Sequence, residues 1–206
     1  MKDVRQWAWL LLFGSVWGIS EVAVGGALYR ANVAHASVWL AAWAFLILAV
    51  ARGVLNKPGS SAAIGALAAM FKLVNAGPFL CHLLGIFALG VAFDLVATLL
   101  IGDERTVSYR TAAAGLASAY GGYALFALTI TYGIRYSYWI AGGLPKVLNH
   151  ILVGGSFAAL TAVVAVPLGY WLGLRGEALA LRRPRWAYSG ALLASVVFWS
   201  LGRIAG

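Results

Sequence analysis

The stretch Ala141 to Leu174, AGGLPKVLNHILVGGSFAALTAVVAVPLGYWLGL, decides the fold, because it joins a polar head to an uncharged run of membrane length. Lys146, Asn149 and His150 occupy the head, and no charge follows before Arg175. Residues three and four apart share a helix face. The cation, the amide and the imidazole are therefore expected to point the same way at the mouth of a spanning helix. Ionisable groups placed there either snorkel to the headgroups or face a wet pocket.

The rest of the chain agrees with that setting. Of its 206 residues, 63% are hydrophobic and 10% charged, with a mean hydropathy of +0.88. Those values lie outside the usual soluble range, and most segments lack the polar face a soluble helix needs. The sequence reads as one all-α, polytopic membrane domain over residues 1–206. The formal charge of +9 sits in short loops, where it reads as an orientation signal and not as a nucleic-acid footprint. Cys81 is the single cysteine, which excludes a disulfide framework.

About 20 apolar residues cross the hydrocarbon. On that ruler six segments stand out: Trp7 to Leu28, Val38 to Leu55, a short Ser61 to Asn75, Phe79 to Ile101, Thr111 to Ile134, and Lys146 to Leu174. Trp7 to Leu28 is too long for a signal-peptide core and reads as the first span. Residues 187 to 205 form a probable seventh segment, with Arg203 counting against a full crossing. Gly77-Pro78 is expected to part the third segment from the fourth, and Pro167 to kink the sixth. The brevity of the third leaves a re-entrant hairpin as its alternative. With seven crossings and a cytoplasmic N-terminus, ten of the fifteen Lys and Arg residues fall inside, LRRPR at 181 to 185 being the strongest marker. This predicts a multi-pass membrane protein.

That topology gathers polar residues on the outer side. His35 lies in the first outer loop, His82 begins the fourth segment and His150 the sixth. Lys72 and Asn75 close the third, so KLVN at 72 to 75 has a counterpart in KVLN at 146 to 149. Glu21, roughly two turns below the outer end of the first helix at ~1.5 Å per residue, needs a cation or a proton, and Lys72, Lys146 or a histidine are its candidate partners. Taken singly, such residues cap helices or snorkel; taken together, they predict a shared pocket. Asp94, in the inner half of the fourth segment and closer to Arg52 or Arg105 than to the pocket, reads as a structural ion pair or as part of a cytoplasmic-side coupling surface. Three histidines could also hold a transition metal or haem. They lack an H-x-x-x-H or Cys-His cluster, and nearby lysines repel a cation, so no resident cofactor is expected. Walker, G-x-S-x-G and H-E-x-x-H motifs are absent, so an enzyme is not expected.

The order of parts resembles a substrate-binding S component of an energy-coupling-factor transporter. The resemblance rests on the small-residue-rich FGSVWGISEVAVGGALY, on the short third helix leading through GPF into HLLGIFALGVAFDLVATLL, and on KVLNHILVGGSFAALTAVVAVPL. It implies capture of a small, anionic, vitamin-like micronutrient by Glu21, His35, Lys72, Asn75, His82, Lys146, Asn149 and His150. It also implies docking of a membrane coupling subunit, driven by cytoplasmic ATPases, on Gly14, Gly18, Ala23 and Gly25. A bacterial or archaeal cell membrane is the expectation that goes with this resemblance. Two features depart from the pattern: the extra C-terminal segment, and Lys2 where nickel and cobalt members carry histidine. A ligand-free membrane scaffold and an intramembrane enzyme are the competing readings.

Overall fold

The computed structural model describes residues 2–76, 79–182 and 184–205. Gly77-Pro78, expected to part the third helix from the fourth, and Arg183 of the basic LRRPR run lie outside them. Among the described residues there is no strand, and the chain folds as an all-α bundle. Its helices are α1 (Lys2–Arg30), α2 (Ala36–Leu55), α3 (Ser60–Ala76), α4 (Leu80–Leu100), α5 (Tyr109–Leu128), α6 (Ser137–Ile140), α7 (Gly143–Asn149), α8 (Gly155–Arg182) and α9 (Pro184–Ala205). A π-helical turn, Thr129–Gly133, extends α5, and another, His150–Gly154, fuses α7 to α8. Six stretches are long and apolar enough to cross a bilayer, among them the continuous Gly143–Arg182 and the C-terminal Pro184–Ile204. These make it a multi-pass membrane protein. Pro167 lies inside α8, which continues past it to Arg182.

Close backbone approach, made possible by missing side chains, sets which helices touch. A Cβ on Gly14 would stand 2.6 Å from Leu67 Cβ, and one on Gly18 2.5 Å from Phe71 Cβ, so α1 and α3 interlock. A Cβ on Gly53 would stand 2.7 Å from the Tyr170 carbonyl and 2.8 Å from Gly173 Cα, which presses α2 onto α8. Small residues at four-residue spacing allow such approach in membranes, where packing has to replace the hydrophobic effect between helices.

The same contacts give direction. Residues 14 and 18 of α1 meet 67 and 71 of α3, so these two helices run parallel, while Gly65 of α3 meets Gly90 of α4 in antiparallel order with Asp94 beside Ser61. The chain thus alternates, and α3 carries it back to the end it left instead of re-entering. Helix α9 lies alongside α1: Trp9 meets Tyr188 edge-on, and Trp199 Nε1 donates to Ser15 Oγ at 3.2 Å. At 17 residues α3 is about 25 Å long by the ~1.5 Å rise, and one side chain explains where it starts. Asp94, buried in α4, accepts the backbone N–H groups of Gly59, Ser61 and Ala62 at 2.7, 2.6 and 3.1 Å. A carboxylate on the positive end of a helix satisfies donors that would otherwise be orphaned. Asp94 is structural as expected, but its partners are these amides and not Arg52 or Arg105. Arg105 pairs with Glu177, and Arg52, 1% exposed, donates to Thr98 Oγ1 at 3.4 Å.

Candidate functional site

At the end of the bundle where α1 finishes and α2 and α4 begin, a cavity of about 700 Å³ opens, within the size range of small-molecule sites. Five elements surround it: α1, α2, α4, α5 with its neighbouring α6 segment, and the first residue of the π turn before α8. Two imidazoles stand in the wall. His82 stacks on Tyr29 at 4.9 Å between ring centres and meets Phe79 at 5.7 Å. His150 stacks on Tyr123 at 4.7 Å and meets Phe126 and the edge of Trp139 at 5.3 and 5.2 Å. Among the described residues neither ring is hydrogen-bonded to protein, so their nitrogens are open to an occupant of the cavity. Tyr123, 5% exposed, is aimed toward Ser37 without a well-formed hydrogen bond and leaves a third polar group unmet.

Local structure places His150 there. It opens the five-residue π turn His150–Gly154, and such turns add a residue to the helix and re-aim the side chains around them. Gly154 lets the turn approach α5: a Cβ on it would stand 3.0 Å from Tyr123 Cε1.

Glu21 forms part of the cavity floor, and it is not free. Lys72 Nζ lies 3.1 Å from its Oε2 and 3.3 Å from its backbone oxygen, and Trp17 Nε1 donates to Oε1 at 3.3 Å. Both charged side chains are 8% exposed. A carboxylate in the middle of an apolar helix has thereby found the cation it needs.

The eight residues singled out from sequence share this end of the bundle, yet the structure brings only three of them to the lining: Glu21, His82 and His150. Lys72 sits behind Glu21. Asn75 donates to the Phe71 carbonyl at 2.8 Å, and its buried Oδ1 has no partner. Lys146 stands behind the aromatic wall, 3.1 Å above the Tyr138 ring and donating to the Tyr138 carbonyl at 2.9 Å. Asn149 is exposed. His35 is exposed too, in left-handed backbone at φ 55° at the start of α2, with its ring 5.0 Å from Phe157. Of the four residues assigned to partner docking, Gly14 and Gly18 are consumed by α3 and Gly25 is buried against Leu40, while Ala23 is exposed.

Sequence reading reached part of the aromatic wall: Tyr132, Tyr136, Tyr138 and Trp139 could stack on a planar ligand or form an interfacial belt, and the last three line the cavity. Tyr123 and Phe126, three apart on α5, carried a signal in their spacing. Tyr29 and Phe79 carried none, since interfacial aromatics look the same. Among the described residues no three His, Cys, Asp or Glu side chains are grouped to hold a metal ion, and no imidazole is hydrogen-bonded to a serine or cysteine.

Fold and site together define a helical membrane protein with a small-molecule-sized cavity at one end. Compared with known proteins, the chain matches no family model, no curated protein and no solved structure.

Proposed function

We propose that this protein is the substrate-capture element of a membrane uptake system, taking a small ring-bearing molecule into the cavity at one end of the bundle. The observation that carries this reading is the pair of imidazoles without protein hydrogen bonds, each stacked on a tyrosine, in one cavity of about 700 Å³. Both histidines are half-buried and face the cavity with no protein hydrogen bond, and a heterocycle with donors and acceptors at its rim would pair with both rings and stack beside them. A ligand-free scaffold gives no reason to keep two such rings unmet. Intramembrane catalysis would call for a nucleophile bonded to a base.

The ligand is neutral or weakly basic. An anionic one was expected because of Lys72 and Lys146, but Lys72 is committed to Glu21 and Lys146 to Tyr138. The charge bias orients the bundle. Among the described residues Arg30, Lys72, Arg135, Lys146 and Arg203 belong to the cavity end, and Arg52, Lys57, Arg105, Arg110, Arg175, Arg182 and Arg185 to the opposite one, a bias that favours a cavity facing outward and an N-terminus facing inward. With no nucleotide-binding loop in the sequence, energy would come from a partner membrane subunit and its ATPases. That partner would meet exposed faces such as the one bearing Ala23, because Gly14 and Gly18 are already packed.

Cys81 lines the cavity and is the chain's one thiol, which supplies the test. In right-side-out vesicles a charged maleimide added outside should label Cys81, and a bound heterocycle should protect it. His82→Phe and His150→Phe should keep the rings packed while abolishing protection. Labelling only from the cytoplasmic side, or protection unaffected by both substitutions, refutes the reading.

A further inference from the structure

A second hollow of about 350 Å³ lies on the other side of the contact between α1 and α2, lined by Ser20, Val24, Leu28, Trp39, Leu40 and Trp43. Among the described residues Leu40 alone lines both spaces. Opposite it stands Gly25, where an added Cβ would be 3.4 Å from Leu40 Cδ1 and 3.7 Å from Glu21 Oε2. With a glycine on one side, the isobutyl group of Leu40 stands where the two spaces meet. A change of one side chain's rotamer needs no movement of either helix, so Leu40 is the point at which this seam would open.

The two spaces differ in chemistry. Glu21, His82, His150 and Tyr123 belong to the inner cavity. The polar groups of the outer hollow satisfy one another, Trp43 Nε1 donating to Ser20 Oγ at 2.9 Å, and what remains is hydrocarbon and indole surface. Val24 and Trp39 are 51% and 60% exposed on two membrane-length helices, which puts the hollow against the bilayer. A mostly apolar cavity that carries two imidazoles and a phenol, meeting a lipid-facing apolar groove at Leu40, matches a molecule with a ring-bearing head and a single chain.

We propose that the seam between α1 and α2 is a lateral portal, and that the ligand is an amphiphile whose ring-bearing head occupies the cavity while its apolar tail lies in the Ser20–Trp43 groove. This rests on the cavity being the ligand site proposed above, and it changes the class of ligand from a water-borne solute to one delivered through the membrane. Leu40 is the specificity-determining residue, since it decides whether a chain can pass.

The experiment uses Cys81 as the reporter in proteoliposomes containing the full chain. N-alkyl maleimides of increasing chain length stand in for head and tail, and a sulfonated, water-soluble maleimide reports aqueous access and an intact fold. In the unmodified protein the labelling rate should rise with chain length. Leu40→Trp should remove that rise, slowing the longest reagent at least tenfold, while the sulfonated reagent stays within twofold. Leu40→Ala, the second variant in case the tryptophan fails to pack, should accelerate the long-chain reagent severalfold. Normal sulfonated-maleimide labelling with long-chain rates indifferent to both substitutions overturns the portal and leaves the cavity reading standing. Failure of both reagents to reach Cys81 in the unmodified protein overturns the two together.

Discussion

Removing Lys72 is the most informative single perturbation, because the residue has one job that can be counted. Its ammonium lies 3.1 Å from Glu21 Oε2, and both side chains are 8% exposed. In Lys72→Met the methionine fills a similar volume, but Glu21 keeps only the 3.3 Å bond from Trp17 Nε1. Leaving one partner of a buried ion pair uncompensated costs about 3–5 kcal/mol. For a chain of this size each kcal/mol moves the unfolding midpoint by roughly 2–4 °C, so a fall of about 6–20 °C is expected in detergent, followed by intrinsic tryptophan fluorescence. Glu21→Gln should destabilise as well, by leaving the ammonium with the Glu21 backbone oxygen at 3.3 Å. The double variant removes both charges and should be more stable than Lys72→Met alone, with a coupling of at least about 2 kcal/mol, well beyond the ~0.5 kcal/mol scatter of independent sites. Additive losses, or a Lys72→Met midpoint within 2 °C of the unmodified protein, would show that the two groups do not depend on each other.

Other substitutions test separate parts of the bundle. Gly53→Ala places a methyl group 2.7 Å from the Tyr170 carbonyl, and overpacking of that kind costs about 1–3 kcal/mol; a drop in midpoint with partial aggregation on size exclusion is expected. Asp94→Ala strips three backbone amides of their acceptor and should cost about 2–4 kcal/mol, whereas Asp94→Asn, retaining one acceptor oxygen, should recover part of it in the same melt. Lys146→Ala removes a cation lying over Tyr138, a contact worth about 0.5–1 kcal/mol where exposed. It should leave the midpoint nearly unchanged and alter Cys81 protection only modestly, whereas His150→Phe should abolish it.

Much of the arrangement was legible before any coordinates. Hydrophobic length gave the rough bounds of the long helices, though not the short α6 and α7, and the rise per residue gave the depth of each polar group, which is why Glu21, Lys72, His82 and His150 are found toward one end of the bundle. The C-terminal segment, uncertain on account of Arg203, forms a membrane-length helix whose guanidinium reaches the Val74 carbonyl at 3.4 Å. Rotation about the helix axes was another matter. In a soluble helix a polar face marks the outward direction, but here every face is apolar. Nothing in the order of residues told Lys146, turned onto Tyr138, from His150, turned into the cavity four residues later.

Chain composition and periodicity by themselves determined an all-helical membrane bundle and the depth of its ionisable groups, because hydrocarbon thickness and helical rise are properties of the solvent and the backbone. Tertiary structure alone decided the partners: Lys72 with Glu21, Asp94 with the start of α3, Gly14 and Gly18 with α3 instead of a second protein, and aromatic rings from four elements around two histidines. Those choices depend on how glycines let neighbouring backbones approach and turn, and that is settled between helices, not within them.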